Sequence, residues 1–522
     1  MRAENPKNRC FCPGVRFSNR FKSEEWVRIF KCHTEFTRFG FVLSLIGPSI
    51  AFRIEVHPVG HLTVSREHQS GLSRRAFLVS SAGALVAARS GLSTPSPASP
   101  SHALALQDRQ FLEEYEKRCF RFFWDQWNSR TGLFMDRARV DGGASGHNVA
   151  SSAATGFGLT ALCIGANRGW VPREQARTRV LTTLRYLWGH AFHDHGWFYH
   201  FMDASTGLRR LNSEVSSVDT ALLLAGILTA QGYFSADREI NLLAKQIFDR
   251  VDFVWMLNGS PLILSHGVNP DSGFLKSRWT IYSEASILYL LAIGSTRHAV
   301  PSDSWYAWLR RQVKYEQWKF ISGGPLFTHQ YSHAWVDFRH QRDGDPSYID
   351  YFENSQIATY AHRDFCISLQ SQYSDYGPDM WGISVSDSPA GYVGWGGPPY
   401  AGPINGTLVP CAVAGSLMFA PEICLPVLRE MHSVYGDKIY RTYGFTDAFN
   451  PNWKDEKLWV NQDVIGIDVG ISLLSMENLL TGNVWRWFMR NQYIQSAMER
   501  VGFRLATPGI GIREVGKPKS RL

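Results

Sequence analysis

Residues 216–230 read "SSVDTALLLAGILTA": two serines, a valine and an aspartate, followed by Ala, Leu, Gly and Ile interrupted only by threonine. A helix made of this stretch is apolar around its whole circumference, and such a helix is buried on every side. The same design recurs in "SSAATGFGLTALCIGA" (151–166), "YSEASILYLLAIGS" (282–295) and "NSQIATYAHRDFCISL" (354–369). It returns in "NGTLVPCAVAGSLMFA" (405–420) and "NQDVIGIDVGISLLSMENL" (461–479). More polar segments alternate with these, such as "REQARTRVLTTLRYLWGHAF" (173–192) and "ADREINLLAKQIFDRVDFVWML" (236–257), with the one-sided apolar pattern of an outer layer. A hairpin of one inner and one outer helix repeating every ~60 residues predicts a closed ring of six hairpins. The expected fold is all-α, an (α/α)6 barrel.

Parallel inner helices bring their N-terminal ends to one mouth, where polar residues meet. Asp219, Glu284, Asp463 and Asp468 stand at or near such starts. The competing reading for each is capping, because Asp and Ser satisfy the free N–H groups and the dipole of a helix start. At ~100° per residue Asp468 lies about 140° around a helix from Asp463, so both cannot point into one cavity as regular helix residues. One of the two is therefore expected to be a cap. Glu477, about 21 Å farther along than Asp463, is too deep for the mouth and is expected to tie down the far end.

Loops predicted at the same end are rich in aromatics, whose flat apolar faces and polar edges suit sugar rings. "HGWFYHF" offers Trp197 and Tyr199, and "KSRWTIY" offers Trp279 and Tyr282. "HQYSHAWVDFR" offers His333, Trp335, Asp337 and Arg339. "DMWGISVSD" offers Trp381 and Asp387, and "GYVGWGGPPYAGP" offers Trp395. His193 and His195 have metal-ligand spacing but no partner ligands, and read as structural.

Charge and composition exclude several classes. With 44% hydrophobic and 19% charged residues, the chain can bury a large core. The net charge of +8 sits in the first 105 residues, which hold 14 basic and 6 acidic side chains; the remainder has 40 of each. A neutral body lacks the basic footprint of a nucleic-acid binder. The apolar run at 39–52 is interrupted by Gly and Pro and is shorter than the ~20 residues of a membrane span, so no membrane insertion is expected. The basic start reads as an address. "SRRAFLVSSAGALVAA" (73–88) places Arg74 and Arg75 before an apolar run that ends in "HALA" (102–105). This resembles a twin-arginine export signal with an A-x-A cleavage site. Residues 1–63 are expected to be an unstructured leader, the product of a mis-called start, 64–105 the signal, and 106–522 the folded domain. Cys119, Cys163, Cys366, Cys411 and Cys424, an odd set without C-x-x-C spacing, read as buried free thiols.

From about Leu106 to Phe503 the chain resembles the bacterial glycoamylase-like domain family, whose members include endo-β-1,2-glucanases and a domain of cyclic β-1,2-glucan synthases. The segments that carry this are "SSVDTALLLAG", "GFLKSRWTIYSEASILYLLAIGS", "HQYSHAWVDFR", "DYFENSQIAT", "WGISVSD", "YGFTDAFN" and "IGIDVG". Related sequences often have Asp-Gly where Asn405-Gly406 stands here, and Asp-Gln-Gly at the place of Asp468-Val469-Gly470. The resemblance implies an (α/α)6 barrel and cofactor-free hydrolysis of β-linked glucan; with the export signal, a periplasmic or secreted monomer is expected. Glycoside hydrolysis needs one acid to protonate the leaving oxygen and one carboxylate to act on water or sugar. Glu284 is the expected acid, because "WTIYSEAS" surrounds it with groups that raise its pKa. Asp463 or Asp468 is the expected base, and Asp219 either shares that role or binds sugar. Inversion is expected by analogy with the glucanases. The alternatives are a non-catalytic glucan-binding or assembly protein and a polysaccharide lyase. A lyase would need a Tyr or His base and an Arg-rich groove, whereas these loops offer only Arg278 and Arg339.

Overall fold

The computed structural model describes residues 42–47, 50–56, 62–67 and 104–506, apart from 144, 345, 399–401 and 455–456. Residues 1–99 and 100–522 form two separate units. The described part of the first is an antiparallel meander of Val42–Gly47, Ile50–Val56 and Leu62–Glu67. It spans the end of the expected leader (1–63) and the first residues of the expected signal (64–105). Alternation of Phe52, Ile54 and Val56, and of Leu62 and Val64, supplies the period-two pattern of a strand. The paired arginines at 74 and 75 lie outside the described residues.

The second unit is the ring of helices. It opens with α1 (Leu106–Asp125), followed by α2 (Ser152–Asn167), α3 (Arg173–Gly189), α4 (Ser217–Tyr233), α5 (Arg238–Arg250) and α6 (Ser286–Gly294). Short α7 (Ser304–Ala307) and α8 (Tyr331–Trp335) lead to α9 (Tyr351–Ser368), α10 (Pro410–Ala414) and α11 (Pro421–Tyr435). Helices α12 (Gly466–Leu480), α13 (Asn483–Phe488) and α14 (Gln492–Val501) complete it. The inner members α2, α4, α6, α10 and α12 are buried along nearly their whole length, as their all-round apolar sequences require. Helix α14 returns to cover α6, where a Cβ on Gly294 would lie 2.0 Å from the Tyr493 carbonyl oxygen.

One inner position differs from the expectation. Helix α9 was expected to be fully buried, yet Glu353, Gln356, Tyr360, Arg363 and Asp364 form a partly exposed stripe along it. Their spacing of three and four residues is that of an outer helix. The more deeply buried segment of this hairpin is instead the turn Leu326–His329, of which Phe327 alone is partly exposed, continued by α8, a stretch the sequence reading assigns to a loop.

Small residues set how closely the inner helices meet. Gly156 of α2 and Gly226 of α4 face each other so tightly that a Cβ on either would lie 2.0–2.1 Å from a backbone oxygen of the other helix. At the mouth, short antiparallel pairs pin the helix starts. Val149–Ser151 pairs with Phe201–Asp203 just ahead of α2, and Val215–Ser216 pairs with Gly267–Asn269 ahead of α4. Asp463–Ile465 pairs with Arg137–Arg139 ahead of α12. Ser151 and Ser216 then cap α2 and α4 through their side chains. The five cysteines after Leu106 are buried and free. Among the described residues no helix is long and apolar enough to cross a membrane.

Candidate active site

The collar opens into a cavity of about 470 Å³, into which Asp219 of α4, Glu284 before α6 and Asp468 of α12 all project. These are three of the four acids expected to converge. The fourth, Asp463, is not on the cavity wall: it sits in the strand ahead of α12 and pairs with Arg139 at 3.2 Å. Asp463 therefore occupies a strand and Asp468 the first turn of a helix, so the expectation that both stand on one helix does not hold. Asp463 caps nothing with its side chain either, since no side chain caps α12.

Glu284 is half-buried on the cavity wall. Burial raises its pKa, a hydrogen bond from its own backbone N–H works the other way, and the charge of Asp219 adds to the rise, leaving it at about 7. It is thus about half protonated at neutral pH and increasingly so below it, as a general acid requires. The segment is fixed from behind, where the Ser332 hydroxyl donates to the Glu284 carbonyl at 2.7 Å.

Asp468 is 7% exposed and Asp447, from the link between the strands Gly444–Phe445 and Phe449–Trp453, is 2% exposed. The two carboxyl groups lie within hydrogen-bonding reach of each other, and burial raises both. Asp447 Oδ2 accepts from the Asp387 N–H and from Asn461 Nδ2, each at 2.9 Å. Asp387 in turn accepts from Arg137 Nη1 at 2.7 Å, and Arg137 Nε reaches Asp136 at 3.1 Å. The one cation of this network is thus spent on Asp136 and Asp387. Asp447 Oδ1 and Asp468 Oδ2 remain buried without a partner.

On the opposite wall His200 stands between two acids, with Nδ1 3.2 Å from Glu214 and Nε2 3.6 Å from Asp219. Burial opposes its charge, but Asp219, Glu214 and Asp136 outweigh this and push the imidazole up to about 9. Asp219 also accepts from the Ser216 hydroxyl at 2.5 Å, so it belongs to the cap of α4 as well as to the cavity. Among the described residues, His200, Glu214 and Asp219 form the one group with the spacing of metal ligands. With the imidazole protonated, Nδ1–H donates to Glu214 and Nε2 faces Asp219 as an ion pair at 3.6 Å, so the three form an ion-pair cluster. His193 and His195 join no such group: His195 bonds Asp194 at 2.8 Å and stacks on Trp255.

Most aromatics singled out in the sequence are framework. Trp197 is buried and donates to the Asp252 carbonyl at 2.9 Å, while Tyr199 stacks on Phe192. Tyr282 packs among His329 and Tyr351. His333 is enclosed by phenylalanines, and burial lowers it to about 3. Trp335 bonds Thr160 at 3.0 Å, and Trp381 is fully buried beside His362. Trp395 braces the hairpin that carries Asp387 by donating to Ser386 at 2.8 Å. Asp337 and Arg339 bond each other, with Arg339 laid over Trp485. Trp279 does line a hollow. A second depression of about 620 Å³ shares Glu284 and Phe327 with the cavity, and on its wall Trp279 stacks against His266 with ring centres 3.8 Å apart. The Glu284 carboxyl thus stands between two adjoining hollows.

Sequence reasoning missed Asp136, Arg137, His200, Tyr331, Tyr392 and Asp447, all on or beside the cavity. Several lie one to three residues from a chosen candidate. Tyr199 and His200 are neighbours on an extended segment, where successive side chains point to opposite faces, and only the second faces the cavity. Asp447 sits inside "YGFTDAFN", a segment that carries the family resemblance, but it precedes no helix and so has no place in a search of helix starts.

Known proteins share this fold. Residues 276–492 match the Glycoamylase family model, described as "Putative glucoamylase". An endo-β-1,2-glucanase from Chitinophaga pinensis, solved with sophorotriose and glucose, is 28% identical, with a TM-score of 0.70 over 77% of this chain and 99% of its own. A solved protein from Bacteroides fragilis with the same glucoamylase description is 29% identical, with a TM-score of 0.68 over 78% of this chain and 100% of its own. The exo β-1,2-glucooligosaccharide sophorohydrolase of Parabacteroides distasonis is 26% identical over 435 residues, 76% of this chain. The chain spans 58% of that relative's length.

Proposed function

We infer, from the glycoamylase-like domain that this chain carries, that it is a glycoside hydrolase that cleaves β-1,2-glucan. The observation that carries the reading is Glu284, a carboxyl raised to about 7, set between two adjoining hollows with Asp468 in the same cavity. In the proposed reaction the glucan lies through both hollows and Glu284 protonates the glycosidic oxygen as the C1–O bond breaks. Asp468 takes a proton from a water whose oxygen attacks C1, and the anomeric configuration inverts. His200 holds Asp219 in place beside Glu284, and Trp279 offers a stacking face in the second hollow. A cleft that continues on both sides of the acid favours internal cleavage. The lyase alternative fares worse, because Arg278 donates to the carbonyls of Leu257, Asn258 and Ile263 and Arg339 to Asp337, leaving neither for uronic carboxylates.

The test is a panel of β-1,2-, β-1,3-, β-1,4- and β-1,6-glucans with products separated by size. Activity on the β-1,2 polymer, with a ladder of short products, is expected. Release of disaccharide alone would replace endo by exo action, and silence on every glucan would favour a binding protein. Export through the twin-arginine route is a further proposal, resting on Arg74-Arg75 and the run to Ala105. Changing both arginines to lysine should hold the precursor in the cytoplasm, and unchanged export would refute it.

A further inference from the structure

The two orphaned carboxylate oxygens at the mouth of α12 belong to neighbouring acids. Asp447 Oδ1 and Asp468 Oδ2 are each shut away from water without a donor, although the carboxyl groups they belong to are within hydrogen-bonding reach. Two ionised carboxylates cannot occupy such a place together, because each is an acceptor only and no cation separates them. We propose that Asp447 is the positioning residue of the catalytic base: it keeps a proton on Oδ1 and donates it to Asp468, orienting the carboxylate that works on water. The inference rests on the hydrolase reading above.

The surroundings of the pair favour this order of protonation. Asp447 Oδ2 accepts two hydrogen bonds at 2.9 Å, which leaves Oδ1 as the oxygen free to carry a proton; the Asp387 N–H opposes protonation, and burial with the charge of Asp468 outweighs it. Asp468 projects into the cavity from the first turn of α12, where the free N–H groups favour an anion. Asp136 and Asp387 raise Asp468 by their charge, and Asp387 does the same to Asp447, with Arg137 bound to both of these flanking acids. The Cys411 thiol approaches Asp468 from α10, and the hydroxyls of Tyr331 and Tyr392 feel its charge from α8 and from the Gly391–Gly394 strand. None of these neighbours is a cation beside Asp447. Burial and the adjacent Asp468 push Asp447 well above the ordinary aspartate range, and the donated hydrogen bond lowers Asp468 relative to its partner.

The test compares Asp447→Asn, Asp447→Leu and Asp468→Asn in the full chain on β-1,2-glucan across pH. An asparagine can donate an amide N–H where the protonated aspartate donates its hydroxyl. Asp447→Asn should therefore keep kcat within about tenfold, with the acidic limb of the pH profile unmoved. Asp447→Leu removes the donor, so it should lose about 100-fold and shift that limb to higher pH. Asp468→Asn should lose about 10²- to 10⁴-fold, as for a missing general base. Infrared difference spectroscopy gives a readout independent of substrate: Glu284 also contributes protonated-carboxyl absorption at neutral pH, and the wild-type minus Asp447→Asn difference should contain a further protonated-carboxyl band that the wild-type minus Glu284→Gln difference lacks. The proposal is overturned if Asp447→Asn falls as far as Asp468→Asn, if folded Asp447→Leu works like the wild type, or if the Asp447→Asn difference contains no protonated-carboxyl band. If the wild type cleaves no β-1,2-glucan, the hydrolase reading fails, and the infrared measurement still decides the protonation of Asp447.

Discussion

Helix α12 carries a buried acid pair at each end, and the two pairs are held differently. At the far end Glu477 and Glu116 are completely buried, and Arg168 reaches across both, at 2.7 Å and 2.8 Å. Glu477 also accepts from Thr481 at 2.7 Å and from Asn483. At the mouth, some 13 Å away at ~1.5 Å per residue, Asp468 meets Asp447 with no cation between them and a cavity in front. Burial of a carboxylate therefore does not by itself mark function. The far pair is clamped by a cation, although Glu116 Oε1 is left without a partner. The mouth pair has an unpaired oxygen on each acid, no cation between them and an open cavity beside Asp468, and that combination calls for a role.

The largest expected contrast lies in turnover. Glu284→Gln and Asp468→Asn should each lower the rate on unactivated glucan by about 10²- to 10⁴-fold while substrate binding and melting temperature survive. Glu477→Gln should leave the turnover of the folded enzyme unchanged. Steady-state kinetics alongside thermal melts of the three variants separates the two ends of α12. Equal loss of turnover in all three would dissolve the distinction.

At the far end the effect should be on stability. Arg168→Met leaves two buried carboxyl groups without their cation, and breaking a buried pair in this way costs about 3–5 kcal/mol. Chemical denaturation should report that loss, with kcat of the remaining folded protein unaltered. A loss under about 1 kcal/mol would mean that the pair is neutralised by its own protonation and does not need the arginine.

The mouth also carries a stability cost that depends on pH. Because the folded-state pKa of Glu284 is raised to about 7, the folded protein retains a proton that the unfolded chain, with a value near ~4.3, has already released. Stability is then full below about pH 4, falls as pH rises toward 7 and stays reduced above it. Glu284→Gln removes this dependence, so the variant should melt above the wild type at pH 8, by about 1–3 kcal/mol, and level with it at pH 4.5. The same value predicts that wild-type turnover declines as pH rises through about 7, when the acid loses its proton.

The ring was readable because inner helices must be apolar all round, a pattern carried by composition alone. It misled at residues 354–369, where a partly exposed stripe hides among alanines, and at 326–335, where a short buried helix looks like an aromatic loop. Three of the four chosen acids reach the cavity because a parallel ring brings helix starts together. The aromatics were less legible: Trp197, Trp335 and Trp381 fill the interior, and nothing in a tryptophan's sequence context tells a stacking platform from a core side chain. Asp447 and Asp136 lay beyond reach for another reason. They stand in or beside extended segments of the collar, whose strands are only two or three residues long and leave no periodicity to detect.

Asp463 gives the smallest and sharpest contrast, five residues before Asp468. Its carboxylate faces Arg139 across the strand pair, in register with it, and the arginine side chain is 41% exposed. Solvent screens such a pair, so its contribution is at most about 1 kcal/mol. Asp463→Asn keeps the shape and the strand register and loses only the charge. The variant should melt within a few degrees of the wild type and turn glucan over at an unchanged rate, with an unchanged acidic limb in its pH profile. Asp468→Asn in the same assay should be nearly inactive. Should Asp463→Asn lose turnover while its melting temperature holds, the base would have to be sought at the strand, and the mouth pair would become a structural clamp like the one at the other end of the helix.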